Sequence, residues 1–243
     1  MSKRLFVVGV GPGSPKYLTD IAKEAIRKCH YVIGYRYTLR TIETIVDRST
    51  QNVFEVTLRN QEAIYQDVFE KMKNNEYCIV PFTGDVSFSE SEVVDRLLEI
   101  FGDDNVEIIP GISSIQVAAA KSKVPLDKAY IATFHVTGDI EKKKKELVEA
   151  IREGKSAILL PRPWFNDPSK SFMESDMARF LKSNGINTST LNTTVFEYLT
   201  NEEKESIFKG KASELEGKEF SDLSVLVIDQ TKRQTYLDLD DTK

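Results

Sequence analysis

Val8-Gly9-Val10-Gly11-Pro12-Gly13-Ser14-Pro15-Lys16-Tyr17-Leu18-Thr19 closes an apolar run that begins at Leu5 and leads into a helical pattern. Residues 5–10 read as one continuous apolar strand, the signature of a parallel sheet buried on both faces. Glycine and proline then turn the chain. Ile21, Ala25 and Ile26 recur at helical spacing, and Thr19 is the candidate N-cap. Two later stretches repeat this order of strand, turn and helix. Thr83-Gly84-Asp85 follows a strand at 77–82, and Pro110-Gly111-Ile112-Ser113-Ser114 follows one at 106–109. Open α/β sheets bind ligands in loops at the carboxyl ends of their strands. Glycine there lets backbone amides come close to a ligand. The expectation is a small-molecule site built from three loops of one sheet.

Outward from these loops, strands are expected at 31–34 and 53–56. Helices are expected where Leu39, Ile42, Ile45 and Val46 recur, and again at Ile64, Val68, Phe69 and Met72. Val93, Val94, Leu97, Leu98 and Phe101 mark an amphipathic helix closed by Gly102, and residues 113–121 mark another. The pattern loosens at 122–128. A second half follows, with strands expected at 130–135, 157–160, 193–196 and 223–228. Helix faces there carry Leu147, Val148 and Ile151, then Met177, Phe180 and Leu181. The fold class is α/β, with domains at 1–122 and 128–243. The tail at 234–243 is acidic and expected to fray or extend an edge.

The chain has 243 residues, 40% of them hydrophobic and 29% charged, an ordinary globular balance. No apolar run approaches a membrane span. Met1-Ser2-Lys3-Arg4 runs straight into a strand without a signal-peptide pattern, so a cytoplasmic location is expected. Cys29 and Cys78 are far apart and read as reduced, packed thiols. The formal net charge of -5 argues against nucleic acid as a partner. It leaves room for an anionic small molecule if basic residues cluster locally. Lys142-Lys143-Lys144-Lys145, beside Glu141, Glu146 and Glu149, reads as a solvated helix face. His30 and His135 do not form a metal cluster with the cysteines, so no metal site is expected.

The glycines of the first loop fit the dinucleotide fingerprint poorly. Ser14 stands at the third glycine position. Pro15-Lys16-Tyr17-Leu18 separates the turn from its helix, so no helix N-terminus can underlie a pyrophosphate. The second strand ends at Gly34, where an acid would be needed for the ribose. Neither a P-loop nor a nucleophile elbow is present. Read singly, Asp85 is a turn former or cap, and Ser113 with Ser114 a helix cap. His135 is either a packed strand-end residue or a substrate contact.

Taken together, Gly11-Pro12-Gly13, Gly84-Asp85 and Pro110-Gly111-Ile112-Ser113-Ser114 resemble the three loops of the tetrapyrrole methylase family over nearly the whole chain. Ile33-Gly34-Tyr35-Arg36, the run 110–120, Pro125-Leu126-Asp127-Lys128-Ala129 and Phe134-His135 are similar to the branch that methylates C5 of cobalt-precorrin-7 or precorrin-6Y. Val86 stands where a proline is usual, and Val136-Thr137 where a glycine and a basic residue are. The resemblance implies two α/β domains with S-adenosylmethionine in the cleft between them, a homodimer, a tetrapyrrole substrate and a possible separate C15-methylase partner. It implies cofactor contacts from Val10, Gly84, Asp85, Phe88, Ser113, Ser114, Leu160 and Leu223. It implies substrate contacts from Gly11, Pro12, Gly13, Arg36, Arg40 and His135. Arg36, Arg40 and Arg162 are candidates to pair with substrate carboxylates, since guanidinium binds carboxylate bidentately. Asp85 can accept from the donor's ammonium or a ribose hydroxyl. Methyl transfer requires an aligned donor and acceptor rather than a protein nucleophile, and no catalytic side chain is assigned. Other acceptors stay open: an earlier corrin intermediate, a diphthamide precursor or an RNA ribose. So does a non-catalytic protein that binds S-adenosylmethionine.

Overall fold

The computed structural model describes residues 3–163 and 167–232. The tail expected at 234–243 lies outside them. The first half runs β1 (Arg4–Gly9), α1 (Asp20–Lys28), β2 (Tyr31–Tyr35), α2 (Arg36–Ile42), β3 (Asn52–Val56), α3 (Gln61–Lys71) and β4 (Tyr77–Phe82). It continues with α4 (Val86–Ser89), α5 (Ser91–Phe101), β5 (Val106–Ile109) and α6 (Ser114–Ser122). Its five strands form one parallel sheet in the order β3-β2-β4-β1-β5. Helices cover both faces. Leu5, Val7, Val80 and Phe82 pack on Tyr65, Val68, Leu97 and Phe101 of α3 and α5. Val8, Val32 and Ile79 pack on Ala22 and Ile26 of α1 and on Leu39 and Ile42 of α2. Burial on both faces is why these strands read as unbroken apolar runs.

The second half runs β6 (Ala129–Thr133), α7 (Glu141–Arg152), β7 (Ser156–Leu160), α8 (Glu174–Ser183), β8 (Asn192–Glu197), β9 (Ser206–Lys211) and β10 (Ser224–Asp229). Its sheet has the order β6-β7-β10-β8-β9. Only β6 and β7 pair in parallel; β10 is antiparallel to both neighbours, and so is β9 to β8. On one face lie α7 and α8, with Leu147, Ile151, Met177 and Leu181 against Ala157, Leu159, Val195 and Leu226. The other face receives α6, whose Ile115, Val117, Ala118 and Ala119 pack on Ile158, Phe196, Val225 and Val227. One helix from the first half therefore completes the core of the second. Residues 123–128 then carry the chain from α6 to β6.

Three expectations are corrected. The helix after Gly34 stops at Ile42, and Ile45 and Val46 lie beyond it, their N–H groups donating to the Ile42 carbonyl. The strand expected at 130–135 ends at Thr133, because the Val136 N–H turns back onto the Phe134 carbonyl at 2.8 Å. The edge strand β9 was not expected. All six of its residues are exposed or half-buried, so it lacks the alternating apolar signal.

Candidate functional site

Because β4, β1 and β5 are neighbours, the loops that follow them leave the sheet side by side at its carboxyl edge. Their backbones interlock. The Val10 N–H donates to the Phe82 carbonyl at 2.8 Å, and Gly11 and Gly84 exchange N–H···O bonds of 3.2 and 2.7 Å. Asp85 Oδ2 accepts the Gly111 N–H at 2.8 Å, while Oδ1 accepts the Ser87 N–H at 3.0 Å and caps α4. The Asp85 carboxylate thus ties the second loop to the third. A Cβ on Gly9 would lie 2.6 Å from the Gly111 nitrogen. One on Gly111 would press on the Gly84 oxygen and lie 2.6 Å from the Gly9 carbonyl carbon. Gly84 also adopts a φ of 73°. Packing of loop on loop requires Gly9 and Gly111, whereas the sequence suggested only room for a ligand.

Ser113 caps α6: its hydroxyl accepts the Ile115 N–H at 3.2 Å, and Gln116 Oε1 accepts the Ser113 N–H at 2.9 Å. This capping box fixes where the third loop becomes helix. The N–H groups of Gly13, Asp85 and Ile112 bond to no acceptor among the described residues. They are free donors on this edge, and Asp85 is the charged side chain of the second loop. A compact polar ligand held by backbone groups fits this donor set.

The second half closes over the edge at two places. Near the first loop, the Ser14 N–H donates to Thr200 Oγ1 at 3.0 Å. Lys16 pairs with Glu202 at 2.5 Å, and Lys121 with Glu205 at 2.5 Å. Gly11 and Pro12 are buried here, and a Cβ on Gly13 would lie 2.8 Å from the Tyr37 hydroxyl. Near α5, Glu92 Oε1 accepts both the N–H and the hydroxyl of Thr137, at 2.9 and 2.7 Å. Arg162 Nη2 donates to the Thr137 carbonyl at 3.0 Å. The Thr137 hydroxyl bond, with help from its N–H, Arg96 and Arg162, holds the Glu92 carboxyl below its ordinary pKa.

Between these two closures lie Phe88, Ile112 and Leu160, half-buried in the apolar cluster shared by the two halves. Leu223 is half-buried, and its carbonyl accepts the Tyr198 N–H at 2.9 Å. Val10 is fully buried and contributes backbone only. His135 is exposed on the segment after β6. Surrounding protein disfavours its charged form and lowers its pKa, against the pull of Asp222 and Glu92. Arg36 and Arg40 are exposed one helical turn apart on α2, and neither forms an ion pair among the described residues. Arg162, expected to meet a substrate carboxylate, is only 5% exposed and instead holds residue 137. Among the described residues no group of three or more His, Cys, Asp or Glu side chains could hold a metal ion.

Glu92, Asp222 and the 198–201 turn escaped the sequence reading. Glu92 looked like any charge on an amphipathic helix. In the turn, Tyr198 and Thr200 adopt positive φ values of 47° and 69°, which no glycine announced.

A family profile described as Tetrapyrrole (Corrin/Porphyrin) Methylases matches residues 4–216. A probable cobalt-precorrin-7 C(5)-methyltransferase of Methanocaldococcus jannaschii is 33% identical over 224 residues, covering 92% of this chain and 96% of that protein. The crystal structure of a precorrin-6Y methylase of cobalamin biosynthesis from Archaeoglobus fulgidus superposes with a TM-score of 0.64 at 20% identity, covering 95% of this chain and 99% of that one. A uroporphyrin-III C-methyl transferase from Thermus thermophilus, complexed with S-adenyl homocysteine, gives a TM-score of 0.67 at 16% identity, covering 93% and 91%. These two structures share the fold.

Proposed function

The chain belongs to the tetrapyrrole methylase family, and we propose that it transfers a methyl group from S-adenosylmethionine to C5 of a corrin precursor, cobalt-precorrin-7 or precorrin-6Y. The observation that carries this reading is the interlocked edge of Gly9, Gly84, Asp85 and Gly111, roofed by the second half. The M. jannaschii relative, named for that reaction and matched almost end to end, supports the choice of acceptor.

In this reading Val10, Gly84, Asp85, Phe88, Ser113, Ser114, Leu160 and Leu223 surround the donor. The bound donor supplies an electrophilic methyl on a sulfonium. The chain's own contribution is placement. Free N–H groups on the edge take the donor's polar ends, Phe88, Ile112 and Leu160 exclude water, and the two closures fix the approach. The acceptor carries many carboxylates. Gly11, Pro12, Gly13, Arg36, Arg40 and His135 form its side of the site. The Arg36–Arg40 pair supplies the local positive charge that an acidic protein needs to bind an acidic ligand. A homodimer, a cytoplasmic location and a separate C15-methylase partner belong to the same proposal and rest on the family resemblance. Light scattering that gives a monomer at micromolar concentration removes the dimer.

Calorimetry with S-adenosylhomocysteine tests the donor site. One site per chain is expected. Folded protein that binds none at millimolar ligand refutes the reading.

A further inference from the structure

Methylation of a ring carbon that bears hydrogen leaves a proton to be removed. The electron pair of the ring forms the C5–CH3 bond as the S–CH3 bond breaks onto sulfur. The C5–H bond then breaks, its electrons return to the ring, and its proton needs an acceptor. We propose that His135 is that acceptor, a catalytic residue facing the substrate in the cleft, with Glu92 and Asp222 as its positioning residues. The proposal rests on the methyltransferase reading above.

Geometry selects His135. The chain has two histidines. His30 sits at the opposite edge of the first sheet, where its Nδ1 accepts the Tyr77 N–H at 3.1 Å. The Asp85 oxygens already serve two backbone donors. Guanidinium groups do not act as bases. His135 lies on a segment pinned from both sides. Its own N–H donates to Thr133 Oγ1 at 3.1 Å, and two residues later Thr137 is locked to Glu92 and Arg162. The residue is exposed, while the protein around its imidazole disfavours the charged form. Charged groups face it from three elements: Glu92 on α5, Asp222 ahead of β10, and Arg162 after β7 acting through Glu92. The surrounding protein favours the neutral imidazole, the form that can accept a proton. The two carboxylates stabilise the imidazolium once the proton arrives.

Two measurements test this. In the protein without ligands, the two imidazoles are followed by NMR against pH, and His135→Asn identifies the signal. His135 should titrate below the ordinary 6.5. Glu92→Gln keeps an acceptor for Thr137 but removes its charge, so it should lower that value further. A value of 6.5 or above, or one that Glu92→Gln leaves unmoved, overturns the positioning. In turnover with cobalt-precorrin-7, His135→Asn should lower kcat by about 10²–10⁴-fold. The affinity for S-adenosylhomocysteine should stay near wild type. The wild-type acid limb of kcat should follow the His135 titration and shift with Glu92→Gln. Full kcat in His135→Asn, or a change in KM alone, overturns the base role while the methyltransferase reading stands. A wild type that transfers no methyl to any corrin precursor overturns both.

Discussion

Gly111→Ala probes the interlocked loops most sharply. The new Cβ would lie 2.6 and 2.7 Å from the carbonyl carbon and oxygen of Gly9 and would press on the Gly84 oxygen. Ordinary contact begins near 3.4 Å, and the Gly84 oxygen is the tightest clash, so the third loop must retreat by about 1 Å. All the opposing atoms are backbone, and no flexible side chain can yield. Retreat strains the 2.8 Å bond from the Gly111 N–H to Asp85. Overpacking a rigid site and weakening one charge-assisted bond together cost about 3 kcal/mol. For a chain of this length that is a fall in Tm of about 6–12 °C. Misplacing the Ile112 donor should also weaken S-adenosylhomocysteine by about tenfold or more, one lost hydrogen bond being worth about 1.4 kcal/mol. Calorimetry and thermal unfolding read both effects. Gly138→Ala is the control, since a Cβ there meets nothing within 4 Å. A Gly111→Ala protein with unchanged Tm and unchanged affinity would refute the interlock.

Asp85→Ala removes two acceptors of backbone N–H groups. It should lower stability by about 1.5–3 kcal/mol or more in urea unfolding, and unchanged stability would return Asp85 to a purely ligand-facing role. Glu174 is fully buried, and burial, against the pull of the Ser224 hydroxyl and a backbone N–H, pushes its pKa from 4.5 up to about 7. Its folded pKa lies above its unfolded one, so the stability it allows is complete below pH 4.5 and is lost as pH rises through about 7. Glu174→Gln should therefore gain roughly 3 kcal/mol at pH 8 and far less at pH 4.5; equal gains in thermal melts at both pH values would exclude ionisation as the cause. Replacing Arg36 and Arg40 together by glutamine should raise the KM for the acceptor and flatten its salt dependence, with cofactor affinity unchanged. Loss of cofactor affinity instead would show that the two ligands are exchanged in the site.

The first sheet was legible because its strands are buried on both faces and its turns need glycine or proline. Residues 5–10 and 77–82 therefore announced themselves, while 106–109, an edge strand exposed at Glu107 and Ile108, was marked by the loop that follows it. The second sheet was less so. No α-helix separates β8, β9 and β10, only a short 3-10 turn at Ala212–Leu215, so their antiparallel pairing leaves no alternating strand and helix signal. The Ser206–Lys211 strand lies at an edge, where side chains need not be apolar. Within the site, the residues whose backbone does the work were visible. Side chains that act across the two halves were not. Glu92 and Thr137 are 45 residues apart, and Arg162 is 25 beyond Thr137. Nothing in local spacing distinguishes a cross-cleft carboxylate from a solvated one. The burial of Arg162 likewise depends on Phe172, whose backbone pairs with it in both directions at 3.0 and 3.1 Å.

The most direct test of the whole account is incubation of the protein with cobalt-precorrin-7 and S-adenosylmethionine carrying a 13C-labelled methyl group, followed by mass and NMR analysis of the corrinoid. One labelled methyl on C5, with stoichiometric S-adenosylhomocysteine, is the predicted result. A labelled methyl on a different ring carbon, or none while the protein binds S-adenosylhomocysteine, would contradict it.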